Sequence, residues 1–147
     1  MDTSTLAHYL HEHIPLSRAM GVAVLRAELE GVVLRAPLAP NINHRDTVFG
    51  GSASALATLA AWSLQYVRLC AEATHGRIII HEHTMKYLKP MDGDFIASAR
   101  PPAADHWRRL LATMARGRMA RIAIAAELTC ADQLAGTFDG RFVILPD

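Results

Sequence analysis

Val48-Phe49-Gly50-Gly51-Ser52-Ala53-Ser54-Ala55-Leu56-Ala57-Thr58-Leu59-Ala60-Ala61-Trp62-Ser63-Leu64-Gln65-Tyr66-Val67-Arg68-Leu69-Cys70-Ala71-Glu72-Ala73 is the stretch on which the reading of the whole chain turns. Between Asp46 and Arg68 there is no Asp, Glu, Lys or Arg. An uncharged segment of this length suits a membrane span, the apolar part of a leader or the buried central helix of a globular domain. The first two call for an unbroken apolar run, whereas Ser52, Ser54, Thr58, Ser63 and Gln65 interrupt this one and Ala outnumbers Leu. A soluble helix that is apolar nearly all round is one that other elements enclose. The sequence therefore predicts a core helix with sheet wrapped round much of its circumference, and the flanking segments are expected to supply that sheet.

The outer bounds agree with this. A chain of 147 residues, 51% of them hydrophobic, suits one domain over residues 1–147 with a single sizeable core. Its 15 basic and 14 acidic residues leave a formal charge of +1, so no global field points to nucleic acid or a membrane surface as partner. Any anion must be held by a local cluster. Cys70 and Cys130 are far apart and have no zinc-type spacing, which reads as two buried thiols in a reducing, cytoplasmic setting. No targeting segment and no internal repeat is recognised.

On the N-terminal side of the helix lies a polar loop, Ala39-Pro40-Asn41-Ile42-Asn43-His44-Arg45-Asp46-Thr47. Donor-rich loops beside a helix start are common places for chemistry, and equally such a loop can be an Asx-rich turn that satisfies its own backbone. Before it, Val22, Val24, Val33 and Arg35 flank Glu30-Gly31, so Gly21 to Leu29 and Val32 to Pro37 are expected to form an antiparallel hairpin. Ser4 is the expected N-cap of a first short helix carrying Leu6, Tyr9 and Leu10 and stopped by Pro15. His8, His11 and His13 lie close in sequence, but on a helix His13 points away from the other two and no acidic or thiol ligand completes a set, so no metal site is predicted.

On the C-terminal side, Gly76 is the expected left-handed residue ending the helix. Arg77 to Leu88 is β-rich, and with Asp92-Gly93 as turn it is expected to pair with Asp94 to Arg100 as a hairpin. His81 and His83 fall on one face of that first strand with Glu82 opposite, an arrangement that suits site-lining imidazoles better than metal ligands. Trp107 to Ala115 is read as the next strand, Gly117 as a turn and Arg118 to Ala131 as its partner, with Phe138 to Leu145 as an edge strand.

Helix, two strands, one long apolar helix and three or four antiparallel strands resemble the α+β hot-dog fold, a curved antiparallel sheet wrapped around one long central helix. Ile14-Pro15-Leu16-Ser17, the run Ala36 to His44, Thr47-Val48-Phe49-Gly50-Gly51-Ser52 and Tyr87-Leu88-Lys89-Pro90 make the chain similar to the thioesterase-like domain at the C-terminus of YiiD-like proteins. In some of those relatives the domain follows an acetyltransferase domain, for which no room is expected here. The resemblance extends distantly to PaaI-like acyl-CoA thioesterases. Their pattern of an Asn, six residues and a double-glycine helix start is matched by Asn43 and Gly50-Gly51. Two positions depart from it: Phe49 stands where those enzymes have His, and Thr58 where they carry an acidic residue. A strand-borne serine of some relatives has no counterpart in Ile78-Ile79-Ile80.

The resemblance implies hydrolysis of an acyl-CoA or acyl-carrier-protein thioester by a homodimer or homotetramer, with no cofactor. Thioester hydrolysis develops charge on the carbonyl oxygen, which the amides around Gly50, Gly51 and Ser52 at a helix N-terminus are suited to receive. Asn43 is the candidate for orienting water or donating to the carbonyl, and Thr58 for holding water from the other side. The carboxylate being absent, His44 and Asp46 are the nearest candidates for the base, then Glu82, His81 and His83 from the strand. Phe49, Leu56, Trp62 and Met85 are candidate acyl-tunnel walls, each equally readable as core. Arg108, Arg109, Arg116, Arg118 and Arg121, Arg108 and Arg116 above all, are candidates for the coenzyme phosphates, or else a solvated strand face. Thr58 weighs against a hydratase or dehydratase. A non-catalytic acyl-thioester-binding module that lost its base is the other alternative.

Overall fold

The computed structural model describes residues 1–147. Helix α3, Gly50–Ala71, is the predicted central element. It lies against an antiparallel sheet of six strands: β1 (Ala23–Glu28), β2 (Gly31–Ala36), β3 (Gly76–Tyr87), β4 (Phe95–Arg100), β5 (Ala120–Cys130) and β6 (Gln133–Pro146). The strand order is β1-β2-β4-β5-β6-β3, and α3 touches every strand. Leu56, Ala60 and Leu64 of the helix meet Phe95, Leu34, Phe142 and Ile144 of the sheet in a continuous core. This is the hot-dog arrangement that the sequence resembles.

The sheet does not close round α3 completely. Ser54, Ala55, Thr58, Trp62 and Tyr66 are only half-buried and form a stripe with helical spacing along one side. That stripe is partly covered by helix α1 (Thr3–His13) and helix α2 (Pro15–Ala19). Asp2, rather than Ser4, caps α1: its carboxylate accepts from the Ser4 amide and hydroxyl, which holds its pKa below the usual range. Pro15 does interrupt α1, but it also opens α2, because its missing N–H costs nothing at a first helical position.

Several expectations change. Trp107 to Ala115 is not a strand but most of helix α4, Ala104–Ala115, which buries Trp107, Leu110 and Met114. Their spacing of three and four residues is the helical period. β3 and β4 are not a hairpin: β3 pairs with β6, while β4 lies between β2 and β5. Residues far apart in sequence complete these ladders, so adjacency along the chain misleads. β6 is consequently interior and β3 is the sheet edge. Gly76 opens β3, and Ala73 with φ +50° is the left-handed residue that ends α3. A bulge sets His81 and Glu82 together opposite Arg141, so His81 faces away from α3 and His83 returns to the inner side against Phe138. Cys70 and Cys130 are both free, but Cys70 is exposed rather than buried.

Candidate active site

The polar loop is organised by two asparagines. Asn41, wholly enclosed, donates from Nδ2 to Met20 O at 2.9 Å and to Pro37 O at 2.8 Å, and its own carbonyl receives the Phe49 amide at 2.7 Å. Asn43 works within the loop: Oδ1 accepts from the amides of Arg45 at 2.8 Å and Thr47 at 3.2 Å, while Nδ2 donates to Thr47 Oγ1 at 3.0 Å. An Asx side chain in this role replaces backbone partners in a tight turn. Ile42 and Val48 close the turn as an isolated bridge, and Asp46 takes a left-handed φ of +63° at its tip. His44 and Asp46 stand exposed there, just before the helix.

At the start of α3, Phe49 is the N-cap and supplies no side-chain acceptor. The amides of Gly50, Gly51 and Ser52 find no acceptor in the chain, as the first N–H groups of a helix do unless something caps them. Free donors at the positive end of the helix dipole are suited to an oxyanion. The Phe49 ring, 57% exposed, folds over Gly51 so closely that a Cβ there would lie 2.4 Å from it. Tyr87, which the sequence reading assigned no role, donates its hydroxyl to Gly50 O at 3.0 Å and ties strand β3 to the helix start. Its only sequence signal was membership of Tyr87-Leu88-Lys89-Pro90. Likewise Asn41 differs from Asn43 in burial, which two-residue spacing does not reveal.

Thr58 stands on the open stripe of α3 and donates to Ser54 O at 2.8 Å, leaving its oxygen lone pairs as acceptors. Trp62 lies further along the same stripe, its indole N–H on Ile78 O at 3.1 Å and its ring stacked on Tyr66 at 5.3 Å. Tyr66 also stacks on Tyr9 at 4.4 Å; burial first, then Cys70 and Tyr9, push its pKa up to about 12. Leu56 is fully enclosed in the core and Met85 packs against it from the sheet, so the expected tunnel walls divide between two sides of the helix.

The remaining candidates lie elsewhere. His81 and Glu82 share a shallow polar hollow on the far side of the sheet with His106, Arg121 and Arg141. The arginines expected on one strand hairpin are spread over α4, the turn after it and the start of β5, with Arg109 paired to Asp105 at 3.2 Å. α4 sits at the opposite end of α3, where Trp107 packs under the Arg68 guanidinium at 4.7 Å. Arg68 is seventeen residues from Gly51, or about 26 Å along a helix, so one chain does not bring Arg108 and Arg116 to the helix start. The N-terminal histidines have separate neighbours: His8 meets Glu12, His11 meets Val22 O, and His13 meets the Tyr9 ring.

A six-stranded antiparallel sheet around one long helix, with free amides where that helix begins, places the chain in the hot-dog class. Residues 3–146 match the family described as "Putative thioesterase (yiiD_Cterm)", and the chain belongs to that family. It is similar, at 30% identity and a TM-score of 0.89 over 98% of this chain and 97% of the other, to a crystal structure from Shewanella oneidensis described as a "putative thioesterase". A Chlorobaculum tepidum protein of unknown function matches with a TM-score of 0.92 at 27% identity, over 99% of this chain and 94% of its own. A mutant of the phenylacetic acid degradation protein PaaI from Thermus thermophilus shares the fold, with a TM-score of 0.65 at 20% identity over 89% of this chain and 98% of its own.

Proposed function

We propose that this chain hydrolyses an acyl thioester, carried on coenzyme A or on an acyl-carrier protein, with the amides of Gly50, Gly51 and Ser52 receiving the carbonyl oxygen. The observation that carries this reading is the uncapped start of α3: three N–H groups without acceptors at the positive end of the helix dipole. Donors of this kind stabilise charge only as it develops, which is what lowers the barrier. Asn43 shapes the loop that leads into them, and Thr58 offers acceptor lone pairs to a water on the same side of the helix. His44 and Asp46 at the loop tip are the groups nearest to serve as base. A homodimer or homotetramer fits a sheet whose long strand β3 is paired on one edge only.

A specific observation supports a second reading, a non-catalytic acyl-thioester-binding module: Thr58 is not a carboxylate, and the Asn43 amide is occupied within the loop. Steady-state hydrolysis across acyl-CoAs and acyl-carrier-protein thioesters separates the two. Turnover above buffer supports the hydrolase, whereas saturable binding with no turnover transfers the protein to the second reading. Asn43→Ala is expected to depress turnover while the protein stays folded by circular dichroism. Asn43→Asp keeps the acceptor that holds Arg45 and Thr47, so recovery of activity in it assigns Asn43 to loop shape, and continued loss assigns it to donation.

A further inference from the structure

The open stripe of α3 runs from Gly51 through the adjacent Ser54 and Ala55 to Thr58 and Trp62, each three or four residues from a neighbour one turn away, which aligns them on one side of the helix. Helix α2 lies over its middle, and between them is a cavity of about 280 Å³ to which α2 and its flank contribute Leu16, Ser17 and Met20. Every hydroxyl in its wall already donates within the chain: Ser17 to Ile14 O at 2.8 Å, Ser54 to Gly51 O at 3.2 Å and Thr58 to Ser54 O at 2.8 Å. The wall therefore offers no free donor hydrogen from a side chain, only methyls, methylenes and weakly accepting oxygens. One end of the cavity begins a single helical turn from the Gly51 amide; Trp62 stands at the other, held by Ile78 O at 3.1 Å and by its stack on Tyr66 at 5.3 Å. Beyond Trp62 a second cavity of about 440 Å³ continues along the helix past Tyr66, Leu69 and Cys70.

We infer that the cavity between α2 and the open stripe of α3 receives the acyl chain of a thioester held at the helix start, and that Trp62 is the wall that sets the accepted chain length. This rests on the thioesterase reading and adds the acyl class to it. The occupant is an apolar chain because the cavity is lined without free donors yet begins beside amides that bind a carbonyl oxygen. A dry cavity of about 150 Å³ holds a six-carbon ring. At about 280 Å³ and open to solvent along one side, this pocket has room for on the order of ten carbons, a medium-length chain.

The test measures kcat/KM for wild type, Trp62→Ala and Ala55→Leu on straight-chain acyl-CoAs from acetyl to palmitoyl, together with fluorescence titrations using decanoate and palmitate. Wild type is expected to prefer medium chains. Trp62→Ala joins the two cavities and should raise the palmitoyl rate tenfold or more relative to decanoyl, since one methylene in an apolar pocket discriminates roughly tenfold or more. Ala55→Leu fills the cavity and should move the optimum to shorter chains; its half-buried position lets it fold even where Trp62→Ala does not. Turnover with all three profiles alike overturns the inference and leaves the thioesterase reading intact. If no thioester is hydrolysed, that reading fails and the titration decides: decanoate binding weakened tenfold by Ala55→Leu upholds the cavity, and no binding by any protein removes it. A change of oligomeric state in Ala55→Leu without a change in decanoate binding also overturns it, with a second copy filling the space.

Discussion

Asn41 and Asn43 are two residues apart, and their environments give them different consequences. Asn41 serves two carbonyls, those of Met20 and Pro37, from a site closed to water. Asn41→Ala would leave both without this donor, and at roughly 1–3 kcal/mol for each buried group left unsatisfied the expected loss is about 2–6 kcal/mol. Urea denaturation measures it, and a loss well under 1 kcal/mol would show that water replaces the amide. The Tyr66 phenol makes a second prediction at this scale. Its folded pKa of about 12 lies above the ordinary value of 10.0, because burial and then Cys70 and Tyr9 disfavour the phenolate. Below pH 10 both folded and unfolded states keep the proton; between about 10 and about 12 the unfolded chain gives it up first, so stability falls across that window. Melting temperatures of wild type and Tyr66→Phe over this range test it, the variant being expected to fall less. No spacing in the sequence announces either effect, since each depends on what the folded chain places around the residue.

At the scale of elements, two helices end by the same motif with different residues. The Gly117 amide bonds Met114 O at 2.9 Å and the Arg118 amide Thr113 O at 3.3 Å, closing α4 around a glycine with φ +71°. For α3, the Ala73 amide bonds Cys70 O at 3.1 Å and the Thr74 amide Leu69 O at 3.0 Å, around an alanine with φ +50°. A left-handed conformation costs a residue with a Cβ about 1–2 kcal/mol. Ala73→Gly is therefore expected to stabilise the protein by about 1 kcal/mol after the extra flexibility of glycine in the unfolded chain is subtracted, measured as a higher urea midpoint. A lower midpoint would show that the Ala73 methyl packs more than it strains. The same scale explains why the sequence of α4 reads as a strand. Trp107, Leu110, Leu111 and Met114 have the helical period, but two prolines upstream and a glycine downstream invite a strand between turns.

At the scale of the whole molecule, β3 ends the sheet with twelve residues paired on one side only. A long unprotected edge is a template for another strand. Two copies pairing antiparallel about Ile79 would set their two Ile79 side chains across from each other on the outer face of a continuous sheet. Ile79 is 44% exposed, so Ile79→Lys should fold, yet it would bring like charges together at that axis. Sedimentation is expected to give an assembly for wild type and a halved mass for the variant; identical masses would place the interface elsewhere. By itself the sequence determined the central helix, its glycine-led start, the first hairpin and the hot-dog class, because these rest on local period, local charge and motifs confined to short runs. Which strand lies beside which, that β6 is interior, that His81 and His83 part company at a bulge and that Asn41 rather than Asn43 is enclosed were decided only by the tertiary structure. Each depends on pairing or burial by residues distant in the chain, and on the open side of α3, where a lone uncharged helix gives no sign of which face the sheet will leave uncovered.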